Sequence, residues 1–162
     1  METTNFSADW EALREAEATY IRTRAAYFKS NRETILYDIQ RGLTSTPNTI
    51  EYTLDLLALL GDDIKEKVMT ELVAIALDGK ETFVPLARNI IIEMDSGYLK
   101  TILPDLVQPW LSANPDNDFI YKNIAQLYYK SDLHTALTHF IDTYCRNSSN
   151  EDIREIYEDY KE

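Results

Sequence analysis

Apolar residues recur along this chain at helical spacing, and no segment shows the sustained alternation of apolar and polar residues that is typical of strands. The four glycines are spaced 19, 18 and 18 residues apart, and a glycine in the left-handed conformation can close a helix. Pro47 and Pro115 stand where proline favours the first turn of a helix. The pattern therefore predicts nine helices, over residues 8–29, 31–43, 48–60, 63–78, 82–94, 98–112, 117–129, 132–146 and 150–160.

The helices repeat with a period of 34 residues. The segment 68–73 has counterparts at 102–107 and 136–141, and the same offset superposes Leu56, Ile90 and Ile124. A fixed period between about 20 and 50 residues is typical of solenoids, in which each helical hairpin buries its apolar face against its neighbours. We therefore expect an all-α fold, in the form of a short right-handed α-solenoid of antiparallel hairpins. An irregular helical bundle with similar helix lengths is the alternative.

A length of 162 residues is typical of one domain with a substantial hydrophobic core. The repeat divides this single domain, residues 1–162, into three parts. Residues 7–47 are predicted to form an N-terminal helical pair, and residues 48–146 to form three hairpins of about 34 residues each. Residues 147–162 are predicted to form a helix that caps the last hairpin.

The hairpins resemble known helical repeats. Residues 49–62 followed by 63–79 resemble a HEAT hairpin, in which the first helix ends in Leu-Leu-Gly-Asp and the second carries a Leu-Val stripe. Residues 81–113 resemble the next HEAT hairpin. The third unit is similar to a tetratricopeptide repeat through Ile124, Ala125, Tyr128 and the spacing of Ala136 and Phe140. It lacks the usual turn glycine. Both resemblances imply binding of proteins or peptides rather than catalysis.

The chain is strongly acidic, with 16 Lys and Arg residues against 28 Asp and Glu residues and a formal charge of −12. This charge argues against binding of nucleic acid through its phosphates, which needs a basic surface, and against attraction to anionic lipid. The polar N-terminus lacks the layout of a signal peptide, and the longest apolar clusters fall short of the roughly 20 residues that span a membrane. We therefore expect a cytoplasmic protein with no nucleic-acid or membrane partner.

A protein-binding face is predicted on the second helix of each hairpin. In a solenoid these helices line the concave surface, so the side chains outside their apolar stripe point towards a bound partner. Trp110 and Tyr144 occupy equivalent repeat positions, where they could anchor a partner or could pack in the core instead. The candidate protein-binding residues are Glu71, Asp105, Gln108, Trp110, His139, Asp142 and Tyr144.

We expect no catalytic, cofactor-binding or metal-binding residues. His134 and His139 are five residues apart and lie on different faces of a helix, which makes them poor joint metal ligands. His139 and Asp142 could pair on one face, where a surface hydrogen bond is the common outcome. Cys145 is the only cysteine, which excludes a disulfide within the chain and a zinc site built from several cysteines. No phosphate-binding glycine loop or metalloprotease motif is present.

These observations predict a non-enzymatic protein-binding module with an acidic face that holds a basic partner. Small acidic helical-repeat proteins are similar to bacterial toxin immunity proteins, which block a toxin by covering its active site, and an acidic surface would steer such an inhibitor to a basic cognate toxin. One alternative is an adaptor or assembly chaperone that recognises a peptide or helix. Another is a HEAT-like enzyme that modifies nucleic acid, which would need a basic groove. The oligomeric state is left open.

Overall fold

The computed structural model describes residues 6–161, and every regular element in that range is helical, which confirms the predicted all-α fold. The helices are α1 (Ala8–Tyr27), α2 (Arg32–Leu43), α3 (Pro47–Ala58), α4 (Asp62–Lys65), α5 (Met69–Asp78), α6 (Val84–Ile92), α7 (Ser96–Ala113), α8 (Asp118–Lys130), α9 (His134–Phe140) and α10 (Glu151–Tyr160). A 3₁₀ turn over Glu66–Val68 joins α4 to α5, and a π-helical segment over Ile141–Cys145 continues α9. With each continuous stretch counted as one helix, the described range contains nine helices, as the hydrophobic pattern predicts. None of the helices in this range is long and apolar enough to cross a membrane.

Side-chain caps explain where some helices begin. Asp95 Oδ1 accepts a hydrogen bond from Tyr98 N–H at 2.8 Å, which satisfies one of the N–H groups that lack a partner in the first turn of α7. Asn117 caps α8 in the same way, so this helix begins at Asp118. Pro115 therefore lies in the preceding turn, and the prediction that it stands in a first helical turn is wrong.

The glycines do not close helices in the way that their spacing predicts. Gly79 does stand at the end of α5, as predicted, but in an extended conformation. No described glycine has a positive φ angle, so the expected left-handed closure is wrong. Gly42 instead lies buried inside α2, where a Cβ atom would overlap the Thr53 side chain of α3, and its small size permits this close approach. The residue with a positive φ angle, 55°, is Asp132 in the turn between α8 and α9. Across that turn Leu133 N–H donates to Tyr128 O at 3.0 Å.

The described chain forms two compact units that divide within α2, one ending at Asp38 and the other beginning at Ile39. The first unit contains α1, which has no buried side chain, and the start of α2. Within this unit Tyr27 Oη donates a hydrogen bond to Asp38 Oδ2 at 3.4 Å. The organisation of residues 1–162 as one repeat domain, with an N-terminal helical pair over residues 7–47, stays a prediction.

Helix α5 lies at the centre of the second unit. It contacts α6, α7 and α8, and its buried side chains are Met69, Leu72, Val73, Ala76 and Leu77. Helices α3, α6, α8 and α10 form a row in which each contacts the next. Such a row is what the first helices of stacked hairpins would form, whereas the contact between α5 and α8 reaches past the adjacent hairpin. The right-handed solenoid therefore stays a prediction.

A buried arginine connects three helices of the second unit. Arg88 of α6 is 5% exposed, and its guanidinium donates hydrogen bonds to Gln126 Oε1 and, at 2.8 Å, to Asn123 Oδ1, both on α8. Asn123 Nδ2 donates in turn to Leu77 O at the end of α5, at 3.0 Å. Both acceptors of the arginine are neutral amides, its Nε has no partner among the described residues, and burial lowers its pKa. The network thus holds α5, α6 and α8 together through amide groups around a buried cation.

Replacing Leu72 with alanine should lower the free energy of unfolding by about 2–5 kcal/mol, because the truncation leaves a cavity in the core around α5. Leu59→Ala is the matched control, since Leu59 is 56% exposed. The same truncation there should change the free energy of unfolding by about 0.5 kcal/mol or less. Urea unfolding followed by circular dichroism measures both variants, and equal effects would contradict the central position of α5.

Asn123→Ala should destabilise the protein more than Arg88→Met. The first variant leaves the buried guanidinium and the Leu77 carbonyl without their amide partner, which lowers the free energy of unfolding by about 2–4 kcal/mol. The second variant removes the buried charge together with its desolvation penalty and fills the space with an apolar side chain, so a loss of roughly half that size is expected. The same urea titration compares them. A larger loss for Arg88→Met would show that the cation itself holds the helices together.

Candidate functional site

A cavity of about 410 Å³ lies in the second unit and is lined by faces of α7 and α9. We call it the α7–α9 groove; Tyr128 of α8 and Tyr144 of the π-helical segment complete its lining. The side chains that α7 contributes lie within about 160° of its circumference, so they share one side of that helix. Helix α7 supplies Lys100, Pro104, Asp105, Val107, Gln108 and Leu111, and α9 supplies Thr135, Ala136, His139 and Phe140.

Four of the seven predicted binding residues line this groove: Asp105, Gln108, His139 and Tyr144. Tyr144 Oη donates a hydrogen bond to Gln108 Oε1 at 3.1 Å and so links the π-helical segment to α7. The structure therefore brings together residues from two predicted hairpins that the repeat pattern places on one face. That these residues bind a partner stays a prediction.

The other three predicted residues do not line the groove. Glu71 is half-buried on α5, and Asp142 is exposed on the π-helical segment. Trp110 is half-buried on α7, about 200° around the helix from Gln108. The groove thus contains Tyr144 but not Trp110, its equivalent in the repeat.

Equivalent repeat positions do not line the groove equally, because α7 and α9 turn different faces towards it, and a π-helical segment follows α9. Arg146 N–H donates to Ile141 O, five residues earlier, at 2.9 Å, whereas an α-helix closes its turns with a spacing of four. The wider turn shifts the residues along it around the helix axis. Gln108 and Tyr144, which the 34-residue offset does not pair, meet because α7 and α9 turn different faces towards the groove.

Buried aromatic rings form the interior of the groove. Phe140 is almost fully buried, and its ring centroid lies within 6.1 Å of the centroids of Tyr121, Tyr128 and Tyr144. Such tilted and stacked arrangements of aromatic rings are favourable. Burial raises the pKa of Tyr128 above its usual range, so its hydroxyl is protonated at neutral pH.

The polar part of the lining contains both signs of charge, because Lys100, Asp105 and His139 all contribute to it. A ligand could therefore form an ion pair or hydrogen bonds at these side chains while its apolar part contacts the aromatic rings. Within residues 6–161, no group of three His, Cys, Asp or Glu residues is arranged to hold a metal ion. The lining thus offers charged, hydrogen-bonding and aromatic groups to a ligand.

The repeat pattern does not predict the apolar and aromatic part of this groove as part of the site. The sequence marks Tyr128 and Phe140 only through their resemblance to a repeat, and it does not single out Lys100 as a site residue. A signal for them exists, because Phe140 directly follows His139 on a predicted binding helix and Lys100 lies on the predicted second helix that carries Asp105. The full helix face, and not its polar rows alone, contains these side chains.

Cys145 should react slowly with iodoacetamide in the folded protein. The thiol is buried, and burial raises its pKa to about 12, so hardly any thiolate is present near neutral pH. Alkylation measured by mass spectrometry should be at least about a hundredfold slower than in denaturant. The raised pKa of the Cys145 thiol also stabilises the folded state at pH values below the pKa of the unfolded thiol, which is about 8.5. This contribution to stability is lost as the pH rises towards 12. Similar alkylation rates in native buffer and in denaturant would contradict the buried position of the thiol.

In comparisons with protein-family models, with curated proteins and with solved structures, nothing matches this chain. The HEAT-like resemblance therefore stays a prediction, and the function of the groove has to be inferred from its own residues.

Proposed function

We propose that this chain is a non-enzymatic protein-binding module of HEAT-like hairpins. In this proposal it acts in the cytoplasm as an acidic inhibitor of the immunity type, which binds and neutralises a basic protein partner such as a toxin. The observation that carries the proposal is the α7–α9 groove, where Asp105, Gln108, His139 and Tyr144 lie beside a buried aromatic cluster. A concave site with an apolar interior and a few converging polar groups is the common form of a binding site.

The groove suits an arginine or lysine side chain of the partner. The carboxylate of Asp105 can accept charge-assisted hydrogen bonds from a guanidinium or ammonium group, and a cation is attracted to the face of an aromatic ring such as that of Tyr144. Lys100 lies more than one helical turn before Asp105 on α7 and would repel a cation. We therefore expect the partner's cation at the Asp105 end of the groove.

The net charge of the chain supports a basic partner in a different way. A formal charge of −12 attracts a basic protein over a distance of about one Debye length, which raises the rate of association. The groove acts only at contact, where buried apolar area and hydrogen bonds slow dissociation. The rate of association should therefore fall as the salt concentration rises.

A second candidate function is that of an adaptor or assembly chaperone that recognises a peptide or helix. It is favoured by the apolar part of the groove lining, which runs along α7 and continues onto α9 through Pro104, Val107, Leu111 and Ala136. Val107 and Leu111 are buried, so a helical or extended peptide would contact chiefly Pro104 and Ala136, which are half-buried. An adaptor would bind several unrelated sequences, whereas an inhibitor would bind one protein.

Capture of partners from a lysate of the source organism, at low and high salt, tests the proposal. The wild-type protein should retain a single basic protein, and Asp105→Lys should weaken that binding at least about tenfold because it places a second cation in the groove. Glu93→Lys is the matched control. It makes the same change of charge at an exposed position at the end of α6, outside the groove lining, and should leave binding close to wild type.

Two further charge reversals distinguish the groove from a broader acidic face. Glu71→Lys and Asp142→Lys change predicted binding residues that do not line the groove, so each should have only the small effect of Glu93→Lys. Effects as large as that of Asp105→Lys would extend the site beyond the groove. Unchanged binding by Asp105→Lys would contradict the groove proposal, and retention of several unrelated peptides would favour the adaptor.

A further inference from the structure

Helix α1 presents large apolar side chains to solvent. None of its side chains is buried, and those of Trp10, Leu13, Tyr20 and Ile21, together with Phe6 just before the helix, are between 43% and 62% exposed. A helix of this kind gains most of its stability from packing of one face against another element. Contiguous exposed apolar patches commonly mark interaction surfaces. The face of α1 is therefore a second candidate interaction surface, independent of the groove.

The exposed side chains follow one stripe along the helix. Residues on this stripe recur at intervals of three and four and lie within about 80° of the helix circumference. Its apolar members are interrupted by one acidic and one basic residue, Glu17 and Arg24, which are seven residues apart. Within α1 the stripe consists of Trp10, Leu13, Glu17, Tyr20 and Arg24, with Ile21 about 20° outside its edge and Phe28 continuing it at the C-cap. The ring centroid of Phe6, before the N-cap, lies 5.6 Å from that of Trp10.

We propose that this stripe docks on the same stripe of a second copy of the chain, with the two α1 helices antiparallel. In this arrangement Glu17 of one copy faces Arg24 of the other, and two-fold symmetry creates the pair twice. A parallel pair would place Glu17 beside Glu17 and Arg24 beside Arg24, and like charges at facing positions are repulsive. The charges within the stripe therefore suit a second copy and favour the antiparallel direction over the parallel one.

The pairing of Glu17 with Arg24 also determines which apolar residues meet. It places the two-fold axis between Tyr20 and Ile21, so Tyr20 of each copy contacts Ile21 of the other copy across the axis. Leu13 of each copy then faces Phe28 of the other, just past the end of α1. Apolar contacts thus occur at the centre of the overlap and at both of its ends, with an ion pair between each end and the centre. Trp10 lies beyond the overlap, opposite position 31 of the other copy.

Other antiparallel registers fit the charges less well. A register centred on Glu17 would bring the two Glu17 carboxylates together at the axis. Within one copy the guanidinium of Arg24 lies 5.2 Å from the centroid of the Tyr20 ring, so the cation is already oriented along the stripe beside a residue of the proposed centre. Docking in the proposed register would let Arg24 keep this contact while it pairs with the carboxylate of the second copy.

Sedimentation equilibrium of the full chain tests this dimer through an exchange of charges. Glu17→Arg and Arg24→Glu each place like charges face to face twice, so each should raise the dimer dissociation constant at least about tenfold. The double variant Glu17→Arg/Arg24→Glu restores the pair with exchanged signs and should return the dissociation constant to within about threefold of wild type. Circular dichroism verifies that each variant keeps its helical content.

Charge reversals on the opposite side of α1 provide the controls. Glu15→Arg and Arg22→Glu lie about 180° around the helix from the stripe, so neither should change the dimer dissociation constant. Weakening by the single stripe variants with recovery in the double variant supports the proposal. A wild-type protein that stays monomeric up to hundreds of micromolar overturns it, and so does a dimer that the single stripe variants leave unchanged, because that dimer would be parallel or would use another surface.

Discussion

The burial of α5 is the constraint on which the second unit depends. Because α5 contacts α6, α7 and α8, its apolar side chains have to fit three neighbouring helices at once, and interiors packed at this density tolerate little displacement. Helix α9 packs in turn on α8. The helices that supply the lining of the groove are therefore fixed from their buried sides, and the lining residues are held on a rigid support rather than on loops.

Two local arrangements extend this constraint to the groove. The hydrogen bonds of Arg88 and Asn123 hold α8 at the end of α5, and they do so with directional contacts that apolar packing lacks. On the other side of α8, the rings around Phe140 hold α9 and the π-helical segment. The hydrogen bond from Tyr144 to Gln108 then connects that segment to α7. The shape of the groove is thus a consequence of the core, and its polar groups are placed by helices that the core positions.

Most of the helices could be predicted from the sequence because a buried helix face leaves a periodic apolar pattern, whereas α1, which buries no side chain, follows from the spacing of its exposed apolar residues. The four grouped site residues follow from the same periodicity. The turns could not be predicted as well, since glycine spacing does not distinguish a left-handed turn from close packing such as that of Gly42 against Thr53. Asp132 takes the left-handed conformation instead. The π-helical segment has no simple sequence pattern. The repeat also does not predict that α7 and α9 turn different faces towards the groove, so that Tyr144 lines it and Trp110 does not.

The two proposed surfaces would respond to salt in opposite ways, because the same net charge acts on different partners. A basic protein is attracted to a chain of formal charge −12, so screening by salt weakens its approach to the groove. A second copy carries the same charge and is repelled at long range, so screening favours association through α1 as long as apolar contacts supply most of the affinity. The ion pairs between Glu17 and Arg24 oppose this trend only slightly, since exposed pairs contribute about 0.2–1 kcal/mol each. Their main effect is on specificity, because they favour one direction and register over other arrangements of the same apolar stripe.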